Sequence, residues 1–397
     1  MDNKQVVHAT EQFAWYDSMR ETSPVHYDPQ SEVWELFRYK DVWNALMAPG
    51  IFSSQIHWTA AGNRQQDELG RLLGMTLLFQ DGETHRTLRK ITQPDFQPRF
   101  IDSRQTVIVD VVDELLDRLQ GKESVDLVRD FTFPLPVKVI SRWLGIDESD
   151  EPLFHMWMTE LFGVPLNTLA ASPNPDEQER AIARRNKVIA EMQDYFSPYF
   201  SYYRSHRDSR VISHMVNSDA LDQEGLLAYT LLLFIAGHIT TTRLLSSTLL
   251  LLSEREQARW RIPKDEELGR KFVEEMLRYW SPVQLVTREV REPVTVGNAH
   301  IAPGDHVILW LGSANRDPEQ FASPDSFDLE RDFSRVLAFG IGSHYCLGAP
   351  LARREAVIGL MRFLRRYPDY RVRNVVFPDR KRLIFFGPQE IDAVIAS

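Results

Sequence analysis

Apolar positions recur at helical spacing along most of the chain and alternate at strand spacing in a few short runs. Between 101 and 119, Ile101, Val107, Ile108, Val111, Val112, Leu115, Leu116 and Leu119 fit one buried helical stripe. A second helical region near 179–206 is amphipathic and strongly charged. Before it, 150–178 carries Phe154, Met156, Trp157, Met158, Leu161 and Phe162, then a Pro/Asn-rich break over 165–175. Two helices joined by a polar break are candidates for a mobile flap, or for plain packing. Residues 226–252 are hydrophobic nearly all round, which predicts a long helix crossing the core. Residues 271–278 and 351–360 also keep a helical period. Strand-like runs occur at 25–27 and 33–37 around a turn at 28–31, at 294–296, 300–301 and 306–310 around a turn at 302–305, and at 382–386 before Gly387. Residues 52–80 show no firm period and read as a long loop with short helical pieces, of the kind that forms a lid or pocket wall. The pattern predicts a mainly α protein with a smaller β-rich part.

Composition narrows the picture. No Gly/Ser linker, composition shift or internal repeat marks a boundary in the 397 residues, so 1–397 reads as a single domain; 43% hydrophobic residues, with 22 Phe and 9 Trp, suffice for a large core. One cysteine excludes an internal disulfide and suits a reducing cytoplasm. A net charge of −10 argues against generic nucleic-acid or anionic-membrane binding. The first twenty residues lack the basic start and apolar core of a signal peptide, and the longest apolar run, 226–237, stops at His238, short of a membrane span. The expectation is a monomeric cytoplasmic protein without membrane insertion.

Candidate chemistry concentrates in four places. The single cysteine, Cys346, lies in the glycine-rich stretch 339–353, just before the helical run at Leu351. Helix-end amides favour a thiolate there, and Gly342 and Gly348 keep side chains away from a flat ligand; the other reading is a small buried hydrophobe. His85 and Arg89, four apart after a helix start at Asp81 or Thr84, share a face that could grip carboxylates; with Arg86 and Lys90 alongside, it could equally be a solvated basic face. In the long apolar helix, Gly237 and the threonines Thr240, Thr241 and Thr242 each cost from several tenths to about 1 kcal/mol relative to alanine. Back-bonding of the hydroxyls would leave a local bulge with room for a small molecule, unless packing alone relieves a kink. Glu275 and Arg278, one turn apart, can pair.

Together these motifs resemble a cytochrome P450. Phe339, Gly342, Cys346 and Gly348 match that family's haem-ligand loop, Glu275-x-x-Arg278 its Glu-x-x-Arg helix, and Ala236-Gly237-x-x-Thr240-Thr241 its oxygen-binding groove. His85-x-x-x-Arg89, Ala314-Asn315-Arg316-Asp317-Pro318 and the opening from Trp15 to Ser54 also fit soluble bacterial members, so the matches run in order from about residue 15 to the end. The resemblance implies the cytochrome P450 fold, with haem b between a long central helix and the cysteine loop. It implies that Cys346 is the axial thiolate, shielded by Phe339 and framed by Gly340 and Gly348, and that His85, Arg89, Arg288 and His344 hold the propionates. Ala236, Gly237, Thr240 and Thr241 would form the oxygen groove, and Glu275 and Arg278 a structural pair. The pair's usual basic third partner precedes the following phenylalanine; here Ser326 precedes Phe327.

An acid usually precedes the groove threonine, and this chain has Ile239, which leaves proton delivery to ordered water or to His238, one residue off the face. The pocket would be walled by 52–80, 150–200, 235–240, 282–286 and 385–386, naming Ile235, Ile239, Val283, Leu285, Val286 and Phe386. The implied reaction is hydroxylation, with O2, of an apolar or amphipathic secondary metabolite, terpenoid, steroid or fatty acid. No Gly-x-Gly-x-x-Gly fingerprint follows a strand, so a fused reductase is not expected and electrons would come from a separate ferredoxin or flavodoxin and its reductase. Arg86, Lys90, Arg99, Arg353 and Arg354 would offer a local basic docking face. Rival readings are a peroxide-driven peroxygenase, whose arginine–proline pair is absent here, and a non-catalytic haem-binding or sensor protein.

Overall fold

The computed structural model describes residues 4–56, 68–162, 175–378 and 384–395. Its axis is a 31-residue helix, Gln223–Ser253, hereafter the central helix. Asp222 caps it by accepting from the Gly225 N–H at 2.8 Å, satisfying one of the donors a helix start leaves open. The helix runs straight through His238 and Arg243, where the apolar run in the sequence stops, and is long and apolar enough to cross a membrane. In this fold, however, 78% of its most apolar 18-residue window is buried inside the protein.

The helices Pro134–Leu144 and Ala349–Arg366 pack on the central helix, and Gln105–Arg118 packs on Ala349–Arg366. The single helix expected over 101–119 is two, Pro98–Ser103 and Gln105–Arg118, because Arg104 leaves helical geometry (φ −120°, ψ 17°). Its guanidinium covers the Phe100 ring at 4.5 Å and donates to the Ser209 carbonyl at 3.2 Å. The charged helix is Pro175–Ser205 and the one before it Glu151–Phe162; the polar break between them lies outside the described residues apart from its last position. Within 52–80 the described part holds a strand and the helix Glu68–Gly74.

The strands are β1 (Val25–Asp28), β2 (Val33–Leu36), β3 (Phe52–Ser53), β4 (Ser124–Asp126), β5 (Val286–Val290), β6 (Val294–Val296), β7 (Ala299–Ile301), β8 (His306–Leu309), β9 (Arg371–Val376) and β10 (Glu390–Val394). The larger sheet has the order β1-β2-β8-β5-β3, with β2 and β8 parallel and the other pairs antiparallel. The expected β1–β2 turn forms, held by the Asp28 carboxylate, which accepts from the Gln30 N–H at 3.0 Å and the Ser31 hydroxyl at 3.1 Å. A smaller sheet, β4-β10-β9, was not legible in the local pattern. The strand expected over 382–386 is reduced, among the described residues, to one bridge between Val283 and Phe385. One apolar cluster fills the helical part and a second lies against the larger sheet.

Candidate active site

Gly348 occupies the N-cap of Ala349–Arg366 and Pro350 its first turn, so Cys346 sits just ahead of the helix end, as its sequence position suggested. Two positive-φ glycines, Gly340 (66°) and Gly342 (73°), shape the loop, and the Cys346 N–H closes it onto the Phe339 carbonyl at 2.9 Å. A Cβ on Gly348 would meet nothing within 4 Å, so open space adjoins the loop there. The Arg353 guanidinium covers the Phe339 ring at 4.4 Å. Burial pushes the Cys346 thiol upward, against the Gly348 and Ala349 N–H groups and the charges of Arg89 and Arg353. The expected net lowering by the helix end is therefore not met by the protein alone: desolvation outweighs the donors. A metal cation, which deprotonates a coordinating thiol outright, reverses that balance.

Asp81 is at the N-cap position of Gly82–Thr92, as the sequence suggested, but its carboxylate does not cap. It accepts from Ser53 Oγ at 2.7 Å, the Ser54 N–H at 2.8 Å and His344 Nε2 at 2.8 Å, tying β3, this helix and the cysteine loop together. Burial opposes these bonds, yet they hold the carboxyl well below the usual carboxylate range. The buried His85 ring lies 4.3 Å from that of His344, and its Nε2 has no partner. Arg89 donates to the Ser343 carbonyl at 3.4 Å. Arg288, on β5, is buried and donates to the Thr287 carbonyl at 2.7 Å; among the described residues no carboxylate lies within ion-pair distance of it. Burial lowers its pKa to about 10, against the pull of Asp81. The structure thus brings His85, Arg89 and His344 together around the cysteine loop, with an under-used cation at Arg288. Of these, His344 already commits one ring nitrogen to Asp81, a partner the sequence did not suggest.

Burial, and then the charges of His344 and Arg89, lower His85 from 6.5 to about 4. Because the folded state holds it neutral while the unfolded chain protonates near 6.5, stability of the haem-free protein should fall as pH drops from about 6.5 towards about 4. His85→Gln should flatten the part of that loss due to this residue. Urea unfolding midpoints measured at intervals over this window check it; parallel slopes for the two proteins would refute it.

On the central helix, every residue from Gly225 to Leu252 is buried except Ala236, Gly237, Ile239, Thr240 and Arg243. These five share one helical face and so line an opening inside the protein. Thr240 Oγ1 donates back to the Ala236 carbonyl at 3.0 Å, as expected, but the helix stays regular and the predicted bulge is absent. Thr241, expected in the groove, is buried away from this face, and a Cβ on Gly237 would press on Ile140 Cγ1 at 3.3 Å, so that glycine serves helix packing. His238 is also buried; its Nδ1 lies 3.1 Å from the Phe234 carbonyl oxygen and its ring meets Phe133 edge-on at 5.5 Å.

Of the expected pocket residues, Ile239, Val283 and Val286 keep exposure, whereas Ile235 and Leu285 are buried. Phe386, 4% exposed, belongs to an aromatic cluster with Phe13 (5.5 Å), Phe377 (5.8 Å) and Trp280 (6.0 Å), which corrects its placement on the pocket wall.

Glu275 and Arg278, on Glu266–Tyr279, form a two-pronged ion pair at 2.8 Å for each bond, with no exposure of either side chain. The third basic group is Arg331, whose Nε lies 3.6 Å from Glu275 Oε1; Ser326, at the position expected to matter, contributes only its carbonyl to Arg278 at 3.1 Å. The residues expected to form a basic docking face are partly engaged within the chain. Arg353 pairs with Glu274, Arg354 with Glu266 and Arg86 with Glu83, leaving Lys90 and Arg99 exposed.

Comparison with known proteins agrees with this geometry. Residues 30–369 match the family model described as Cytochrome P450. The vitamin D(3) 25-hydroxylase of Pseudonocardia autotrophica is 32% identical over 362 residues, covering 89% of this chain and 86% of the relative. The crystal structure of CYP109E1 from Bacillus megaterium in complex with testosterone matches with a TM-score of 0.86 at 31% identity, over 97% of this chain and 98% of that one. P450BioI, in complex with acyl carrier protein ligated to hexadec-9Z-enoic acid, matches with a TM-score of 0.87 at 29% identity, over 97% and 98% of the two chains.

Proposed function

The chain belongs to the cytochrome P450 family of haem monooxygenases, whose members bind haem b with the iron held by a cysteine thiolate, and we propose that it hydroxylates an apolar or amphipathic small molecule using O2 and two electrons from a separate redox partner. One observation carries the reading: the chain's single cysteine retains accessible surface at a loop where His85, Arg89 and His344 converge. The residues fit the group. Burial pushes the Cys346 thiol upward and a bound cation would favour its thiolate, while the unpartnered His85 nitrogen and the carboxylate-free Arg288 suit the two propionates. When bound, haem supplies the activation of O2 and the oxidation of the substrate's C–H bond.

The protein's own residues do the rest. Cys346 holds the iron, and the Gly348 and Ala349 N–H groups donate to its sulfur and tune its electron density. His85, Arg89, Arg288 and His344 orient the propionates. Thr240, back-bonded to Ala236, holds a hydroxyl at the opening, where it can pass a proton from ordered water. Ile239 cannot relay protons and His238 is turned into the core, so the protons travel by water. Ala236, Ile239, Val283 and Val286 present apolar surface to substrate. A steroid and a lipid acyl chain appear with the structural relatives, which supports the apolar or amphipathic class. We read the protein as one monomeric cytoplasmic domain served by a ferredoxin or flavodoxin and its reductase.

Turnover decides it. Product formed with ferredoxin, reductase and O2 should exceed product formed with hydrogen peroxide. Greater turnover with peroxide would make the protein a peroxygenase. Tight ligand binding without coupled O2 consumption under any redox partner would make it a binding or sensor protein.

A further inference from the structure

Of the five residues on this face of the central helix, Ala236, Ile239 and Thr240 enter the mechanism and Gly237 serves packing on Ile140, which leaves Arg243 without a role. Arg243 lies one turn beyond Thr240 and two beyond Ala236 on the same face. Its Nη1 donates to the carbonyl oxygens of Pro388 and, at 3.4 Å, of Gly387. Among the described residues, no carboxylate lies within ion-pair distance of it. Arg243 keeps partial exposure, and its remaining N–H groups are not among the buried donors left without partners, so they are not sealed into packed protein. The loop is shaped to this side chain. Gly387 has φ 141°, and a Cβ there would meet Arg243 Cβ and Cδ at 3.1 Å, so the glycine lets the loop's carbonyls close onto one arm of the guanidinium.

A guanidinium is a costly group to place in a core. It keeps its charge, and burial lowers its pKa only to about 10, with no acid to offset the desolvation. Backbone carbonyls satisfy one arm. What the free side of the fork matches in geometry and charge is a carboxylate, accepted by two parallel N–H···O bonds. We propose that Arg243 is a specificity-determining residue that binds the carboxylate of an otherwise apolar acid, whose body lies along the face formed by Ala236, Ile239 and Thr240. This deepens the monooxygenase reading above and rests on it, since it names the substrate class of the same opening.

The test is calorimetric titration of the haem-loaded protein, which needs no turnover. Dodecanoic acid, abietic acid and lithocholic acid are each compared with their methyl esters, against wild type, Arg243→Gln and Arg243→Lys. At least one acid should bind wild type about tenfold to a hundredfold more tightly than its ester, the range expected for hydrogen bonds to a charged group. Arg243→Gln should bring that acid to the affinity of its ester without weakening the ester. Arg243→Lys, which keeps the charge and loses the fork, should fall between. If no acid outbinds its ester in wild type, or if the preference survives in Arg243→Gln, the proposal is wrong and Arg243 is a clamp on the 387–388 loop. Should Arg243→Gln fail to fold, the wild-type comparison and Arg243→Lys still decide. A wild-type ferrous carbonyl spectrum without thiolate character would instead overturn the haem reading, so the two failures are separable.

Discussion

Cys346→Ser is expected to abolish monooxygenase turnover and to remove the red-shifted Soret band that thiolate ligation gives the ferrous carbonyl complex. The substitution replaces one atom and leaves the loop's framework, Gly340 and Gly342 at positive φ and the closing bond to the Phe339 carbonyl, in place. A hydroxyl oxygen accepts from the Gly348 and Ala349 N–H groups much as sulfur does, so the fold should survive. What is lost is the anionic, polarisable donor. The protein already resists ionising a cysteine here, because burial outweighs the helix-end amides and the charges of Arg89 and Arg353. An alcohol, far less acidic than a thiol, is further from ionising in the same surroundings. In the haem-free proteins near-UV circular dichroism and the unfolding midpoint should match wild type, while the haem-loaded variant's carbonyl spectrum loses its thiolate band. An unchanged band in Cys346→Ser or Cys346→Ala would remove this residue from the role.

The features legible in the sequence are those made by neighbours in the chain. The central helix, the loop around Cys346, the β1–β2 turn and the Glu275–Arg278 pair are each fixed by spacings of a few residues. Local pattern did not separate which side of a helix faces an opening. Thr240 and Thr241 are adjacent and alike in chemistry, yet one lines the opening and the other is buried, a distinction set by what packs on the central helix. Asp81 reads as a helix cap, and its position is correct; Ser53, Ser54 and His344, brought in from distant segments, take its carboxylate instead. The family resemblance puts Phe386 at the pocket wall, but Phe13, near the other end of the chain, packs against it in the core. In the sheet β4-β10-β9 the pairing of β10 with β4 likewise reaches across most of the chain, from Asp392 to Asp126. In Arg331 the same rule holds: nothing near it in sequence marks it as a partner of Glu275.

That network carries the second large effect. Glu275→Ala is expected to destabilise the protein by about 3–5 kcal/mol, the cost of leaving a buried charge without its partner. Glu275 and Arg278 have no exposure, so water cannot replace a lost partner. The carboxylate also accepts from the Asp328 N–H at 2.9 Å and attracts Arg331, and the Arg278 guanidinium reaches the carbonyls of Asn315 and Ser326, both at 3.1 Å. Removing Glu275 therefore strands Arg278, turns it against a second cation and loosens the segment from 315 to 331 at once. Arg331→Ala should cost less than Glu275→Ala, because its Nε stands off from Glu275 at 3.6 Å, its other bonds go to the neutral carbonyls of Ala322, Ser323 and Ser326, and Glu275 keeps Arg278. Because Glu275→Ala already leaves Arg278 unpaired, adding Arg278→Ala should cost far less than that change does alone. Urea unfolding followed by tryptophan fluorescence measures the wild type, the three single variants and the double variant. Equal costs for Glu275→Ala and Arg331→Ala, or simple additivity in the double variant, would mean that the pair does not act as one buried unit and that the 315–331 segment is held by its own turns.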